Sequence, residues 1–509
     1  MAEPEASGPA EAQGFAGQLN PGKRALAPGH LGRTVIFNVG LTVVGLISAG
    51  LVPFGFNLAV GRIDGASTLG LMSVALGLAL FLGQIPGTIS SAATKFIAES
   101  LGAGDEERAR GVFQYLAVIT AGLALALGLA LLALAPVLES VYHLSFTVIL
   151  LAAALIPTYT MYLFFKSCYY GFGRVRTYLV NEVVSDCAFF GGLAAVFVFG
   201  ATPLLLLPFV VNNAVFAVIA LRDMMPDLRG FRMIPKPDRG RIIRYCLING
   251  GGSSASLGRW FLGTAIAGLF LSHHSVGLFA AALAITAPLP LLPRAISLVT
   301  FALMARLHGA GEHPSVQIVL KQSTEWLVFA LGVPSGLAII NASALISFAF
   351  RPSFASAALA TQLIIGGAYI TDISRPSIDA LSSTLWVRIA TLASFLGLAA
   401  SLVIWLALIP RYGISAAGLG FAAGALVTAV IPAYYACKHI GSSPIVFARP
   451  AIMLAGLALL TALGPSRALI ASIVFVGGAS ILYVHLIEMI IRFLARSFGS
   501  RPSLAEESA

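Results

Sequence analysis

The sequence predicts an all-α polytopic membrane protein of about fourteen transmembrane helices: two six-helix repeats followed by two C-terminal helices. Three observations lead there. Of 509 residues, 58% are hydrophobic and only 10% charged, and the mean hydropathy is +0.91, whereas a soluble domain carries about a quarter charged residues. Apolar runs of roughly 20 residues, long enough to cross the hydrocarbon core as a helix, recur along the chain. The basic residues fall almost entirely in alternate connections, as the positive-inside rule requires. A β-barrel would show short alternating segments instead.

The apolar runs place spans near 34–60, 68–93, 112–136, 146–166, 177–199, 202–221, 244–270, 276–304, 325–349, 354–374, 386–409, 414–437, 449–464 and 468–491. With the N-terminus placed in the cytoplasm, 25 of the 31 Lys and Arg lie on the cytoplasmic side. Arg62, Arg351, Arg411 and Arg467 lie outside, and Arg259 and Arg294 fall within spans. Both termini of this multi-pass protein are therefore expected in the cytoplasm. Residues 1–32 hold no apolar signal segment and read as a disordered tail. The organisation that follows is a first bundle over 33–222, a basic linker over 223–243 and a second bundle over 244–440. Two extra spans over 441–492 and a tail over 493–509 complete the chain.

The net charge of +10 belongs to this topology, so no nucleic-acid partner is expected. The linker, with Pro226, Pro235 and Pro237, reads as a solvated segment beside anionic lipid. Cys168, Cys187, Cys246 and Cys437 show no paired spacing, so reduced thiols and no metal site are expected. No GxxxxGK[ST] loop and no nucleophile–base constellation is present. The expectation is a non-enzyme without a cofactor.

An internal repeat organises the bundle. Residues 86–111, PGTISSAATKFIAESLGAGDEERARG, return in weaker form from Pro293 as PRAISLVTFALMARLHGAGEHPSVQ, 207 positions on. The same offset relates Gly70-Leu71 to Gly277-Leu278, Thr177 to Thr384 and Pro203 to Pro410. Six spans per copy, an even number, give both copies one orientation, with a cavity between them as in many secondary transporters.

Three segments resemble the polysaccharide-transport branch of the multidrug/oligosaccharidyl-lipid/polysaccharide (MOP) exporter superfamily, which includes the O-antigen flippases. Residues 94–110, TKFIAESLGAGDEERAR, look like the family's loop between its second and third spans. Residues 408–420, LIPRYGISAAGLG, look like its junction of spans eleven and twelve. Residues 61–71, GRIDGASTLGL, resemble its first external loop, without that loop's usual proline and tyrosine. The likeness covers about residues 30–440. It implies a V-shaped bundle that moves a polyprenyl-pyrophosphate-linked oligosaccharide across the inner membrane for lipopolysaccharide or other surface-polysaccharide synthesis. A polysaccharide polymerase or glycosyltransferases would be its protein partners.

Charged residues inside spans are the candidate site. Arg259 lies fifteen residues past Arg244, about 22 Å along a helix, too deep to snorkel easily. Such an arginine should face a wet cavity or a partner, and its planar guanidinium suits phosphate. Its span carries NGGGSSASLG from Asn249, a run able to thin or unwind a helix. Arg294 follows Pro288, Pro290 and Pro293, which should break span eight; snorkelling is its rival reading. Glu182 and Asp186, at i and i+4, share a face of span five and are candidates for ion coupling, with Arg174 and Arg176 as structural partners in the alternative. Asn38, Asn57 and Gln84 either line the cavity or bond between helices, as do Asn212 and Asn213. His485 and Glu488 form a candidate i, i+3 pair, and the charges from Asp105 to Arg110 read as a solvated turn. The deep arginines favour a flippase over a cation-coupled multidrug exporter, which would call for central acids. Short external loops argue against a glycan polymerase.

Overall fold

The computed structural model describes residues 51–483 and four residues before them (45, 47, 48 and 50), apart from 229, 231–235, 310, 385, 442–444 and 462–463. Asn38, His485 and Glu488 therefore lie outside the described residues. Among those described, all regular structure is helical. The first repeat comprises α1 (Gly50–Ile63), α2 (Gly65–Gly87), α3 (Ile89–Gly102), α4 (Glu106–Ala133), α5 (Ala135–Tyr142), α6 (Phe146–Gly171), α7 (Val175–Val198) and α8 (Leu207–Asp223). A short α9 (Met225–Leu228) leads to the linker. The second repeat holds α10 (Lys236–Phe270), α11 (His273–Thr286), α12 (Leu291–Gly309), α13 (His313–Ile340), α14 (Ala342–Ala349), α15 (Ala358–Ile373), α16 (Arg375–Ser383) and α17 (Val387–Ile440). Then come α18 (Ile445–Thr461) and α19 (Ala468–Leu482). Over the described residues each expected span coincides with helix, the first being described only from its C-terminal half and the last only to residue 483.

Local sequence explains the boundaries. Asp105 caps α4 by accepting the Arg108 backbone N–H at 2.8 Å, and Glu106 and Glu107 occupy the first turn, where the helix dipole favours acids. Prolines 288, 290 and 293 divide span eight into α11 and α12, bent by 43°. Spans eleven and twelve form the single 54-residue α17, interrupted at Gly413 with φ 61° and ψ −138°. Only glycine adopts that conformation readily.

The NGGGSSASLG run is not unwound: α10 passes through it without a break. The glycines thin the helix instead. A Cβ on Gly250 would meet Thr88 Oγ1 at 2.5 Å, and one on Gly252 would meet Thr391 Oγ1 at 3.1 Å. Likewise α2 continues through Pro86, and the interruption before α3 is the single residue Thr88.

The duplication shows directly in the helices. Moved by the 207-residue offset, the bounds of α4 and α5 become those of α13 and α14. One apolar core spans both repeats, from Phe56 and Leu69 to Phe279, Trp405 and Phe421. A second, in the first repeat, gathers Phe96, Phe113, Phe164 and Phe216. A third seats α18 and α19 on α13 and α15 through Leu331, Met453 and Phe475.

The repeats meet where the sequence is small. A Cβ on Gly70 would lie 1.8 Å from the His273 carbonyl oxygen, and one on its counterpart Gly277 1.8 Å from that of Ala66. At this end, away from the linker, Arg62 donates to the carbonyls of Phe348 and Ala349. Arg351 donates to Ile63 O at 3.4 Å. At the linker end, Arg108 pairs with Asp238 at 3.0 Å and Arg241 with Glu99 at 2.8 Å, while Arg110 reaches Asp227 at 3.6 Å. The turn from Asp105 to Arg110 is thus more than solvated surface: it anchors the start of α10.

Candidate functional site

Two charged clusters are built into the bundle, one in each repeat. The second-repeat cluster forms around the broken span. Arg294, on the first turn of α12, is open to solvent yet enclosed on most sides by protein. Its charge acts on Asp372 and Arg375 and, across the seam, on Tyr159 of α6. Tyr159 donates to Gln84 Oε1 at 3.4 Å, a bond between α6 and α2 within the first repeat. Asp372, near the end of α15, feels Arg294, Arg375 and Arg259 together. Arg375 Nε contacts Asp379 at 3.2 Å and Ser297 Oγ at 3.3 Å. Ser297 in turn donates to Asp379. Three guanidinium groups against two carboxylates leave this cluster at +1.

Of the two surroundings expected for Arg259, a wet cavity or protein partners, it has the second. It is only 1% exposed, packed where Gly424 leaves room for its Cδ and with its guanidinium 5.8 Å from the Phe421 ring centroid. Nε and Nη1 have no hydrogen-bond acceptor, and Asp372 Oδ2 has no hydrogen-bond donor. Unmet buried polar groups of this kind are costly.

The first-repeat cluster contains Glu182 and Asp186, 1% and 8% exposed. Glu182 Oε1 accepts from Tyr162 at 2.7 Å and faces Lys166 at 3.4 Å. Lys166 also bonds Tyr162 Oη at 2.9 Å and lies over the Tyr178 ring at 5.0 Å. Asp186 accepts from Asn212 at 3.2 Å and from Ser48. The basic partner is thus Lys166 and not Arg174, which pairs with Asp223 and Asp227 at 3.7 and 3.2 Å. Asn57 and Asn213 bond backbone within their own helices, to Pro53 O and Phe209 O.

Sequence reasoning missed Asp372, Asp379, Tyr159, Tyr162 and the role of Lys166. Asp372 carried a signal, being an acid at the end of an apolar run with Arg375 three residues on. The Arg375–Asp379 pair has i, i+4 spacing. Tyr159 and Tyr162 sit in an aromatic-rich span and give no comparable sign.

The MatE family model matches residues 16–176. No curated protein sequence matches the chain significantly. Among solved structures, the fold is similar to "Lipid II flippase MurJ, inward closed conformation", with TM-score 0.65 at 12% identity over 88% of this chain and 99% of that one. An inward-facing multidrug resistance MATE family transporter of the MOP superfamily gives 0.55 at 15% identity, covering 78% and 98%. A MOP superfamily transporter from Pyrococcus furiosus gives 0.55 at 14% identity, covering 80% and 95%. The chain thus has a multi-span membrane fold of the MOP type.

Proposed function

We propose that this chain is a flippase that carries a polyprenyl-pyrophosphate-linked oligosaccharide across the inner membrane by alternating access, in the service of surface-polysaccharide synthesis. The observation that carries the reading is the net-positive cluster of Arg259, Arg294, Arg375, Asp372 and Asp379 at the seam. Arg294 is the accessible group and makes first contact with the pyrophosphate through charge-assisted hydrogen bonds. Asp372 acts as a place-holder that neutralises the arginines until the phosphate arrives and competes it off again for release. Arg259, whose donors are unmet, joins when the repeats rock, and the closure follows from its differential contact with substrate in the two states. The glycan occupies the space between the repeats and the tail stays in the bilayer. The charge asymmetry supports a cytoplasmic linker end and cytoplasmic termini, where glycosyltransferases would deliver substrate.

The MatE match and the paired acids of the first repeat support a second reading, a cation-coupled multidrug exporter; the positive central cluster weighs against it. Glu182 and Asp186 fit the flippase as its coupling groups, with Lys166 exchanging partners as a proton or cation is taken up.

Reconstitution into liposomes with lipid-linked oligosaccharide tests the assignment. The combined Arg259→Ala and Arg294→Ala variant is expected to lose transport at least tenfold while remaining folded and monodisperse. Transport at the parental rate overturns the phosphate role. Transport of cationic drugs by the parent protein, without transport of lipid-linked substrate, establishes the exporter instead.

A further inference from the structure

We propose that a groove running along α10 and ending one turn short of Arg259 holds one acyl chain of an anionic glycerophospholipid, whose phosphate sits on Arg244. The groove lies where α2 and α4 of the first repeat meet α10 and α17 of the second, and encloses about 480 Å³. That is the size class of a specific small-molecule site. Its walls are apolar, formed among others by Ile85, Ile119, Leu123, Ile243, Leu247 and Phe395. Leu247 is 72% exposed and Phe395 49%, so the walls open laterally to the bilayer.

The groove owes its depth to glycine. Gly250 and Gly251 form part of its lining, and a Cβ on Gly251 would lie 3.1 Å from the Phe395 ring. Phe81 and Leu398, which close over Gly258, end it. From Ile243 to Ala255 it follows α10 for about 18 Å at 1.5 Å per residue. Half of a hydrocarbon core about 30 Å thick is about 15 Å. The groove therefore spans one leaflet, the length of a single acyl chain and short of a polyprenyl tail.

The mouth selects the headgroup. Arg244 is exposed, adjoins Ile243 and stands one turn before Leu247, and it makes no ion pair among the described residues. Arg239 lies over the ring of Tyr115, a wall residue, at 5.7 Å. Lys95 lies over Tyr245 at 4.4 Å. The nearby acids are engaged: Glu99 by Arg241 and Asp238 by Arg108. An anionic phosphate at headgroup level meets Arg244, which stands outside these pairs, as it would other juxtamembrane basic residues. The bound lipid would wedge the seam between the repeats at the linker end, so occupancy would bias their rocking.

The full-length protein in nanodiscs, with phosphatidylglycerol or phosphatidylcholine bearing a photoactivatable acyl chain, tests this directly. Phosphatidylglycerol should label peptides containing Ile119, Leu123 and Ile243–Leu247 several-fold more than phosphatidylcholine. Arg244→Gln should remove the preference, and Cys246→Phe, which fills the groove, should reduce labelling by both lipids. Equal labelling by the two lipids, or a preference untouched by Arg244→Gln, overturns the proposal. If polyprenyl pyrophosphate displaces phosphatidylglycerol at equimolar amounts, the groove belongs to the transported lipid's tail and the proposal is likewise wrong. None of these outcomes depends on Arg259 or Arg294, so the proposal stands or falls apart from the flippase reading.

Discussion

Gly277→Ala puts one methyl group into the tightest contact between the repeats. The new Cβ would lie 1.8 Å from the Ala66 carbonyl oxygen and 2.6 Å from its carbonyl carbon. Carbon-to-oxygen contacts settle at about 3.3–3.6 Å, so α2 and α11 must separate by roughly 1.5 Å. The obstacle is backbone, and no rotamer change relieves it. Overpacking of this kind costs about 1–3 kcal/mol. Alanine also favours the helix by roughly 1 kcal/mol over glycine, whichever way the repeats rock, so the loss falls on the closed state and not on the fold. A penalty of 1–3 kcal/mol shifts the closed-to-open ratio by about 5- to 150-fold. Spin labels at Ser67→Cys and His274→Cys, on either side of the seam, report the separation by pulsed electron resonance. The short-distance population should fall and a longer one appear. Gly70→Ala should do the same, and the double variant should add less than the sum because both touch one contact. A distance distribution identical to the parent's would refute the idea that this contact holds the end shut.

Other outcomes follow from the same geometry. Asp372→Asn removes the competitor for the arginines: lipid-linked substrate should bind several-fold tighter and turn over more slowly in steady-state transport. Asp186→Asn preserves size and one acceptor for Asn212 and Ser48; basal transport should persist while acceleration by an imposed proton gradient disappears. Gly413→Ala forces a side chain into a glycine-only conformation, at about 1–3 kcal/mol, and should lower the thermal midpoint. Gly122→Ala, in an open stretch of α4, should leave the midpoint unchanged or raise it.

The course of the bundle was readable because each span is a local signal: twenty apolar residues need no knowledge of their neighbours. The break at Pro288, Pro290 and Pro293 was readable for the same reason. The continuous path of α10 through its glycines was not. Whether a glycine run unwinds or permits close approach depends on what lies opposite, here Thr88, Phe395 and Thr391. The candidate site divided along the same line. Arg259, Arg294, Glu182 and Asp186 announced themselves as charges in apolar runs. Their partners became pairable only when helices were packed: Lys166 and Tyr162 stand on α6, next to Glu182's helix, and Asp372 on the distant α15. The burial of Arg259 could not be foreseen either, because it depends on the space left by Gly424 of α17.

The last two helices change how a duplicated molecule meets its surroundings. In α4, 28% of the most apolar stretch is covered by protein; in its twin α13 the figure is 50%. The difference is made partly by α18 and α19. Methyl and ring atoms of Met453 and Phe475 stand where Cβ atoms on Gly332 and Gly336 would fall, at 2.7 and 2.0 Å. Copies with the same helix bounds have thereby acquired different solvents: lipid for α4, in part protein for α13. A second repeat packed in this way is expected to bend less than the first, because α18 and α19 must move with α13.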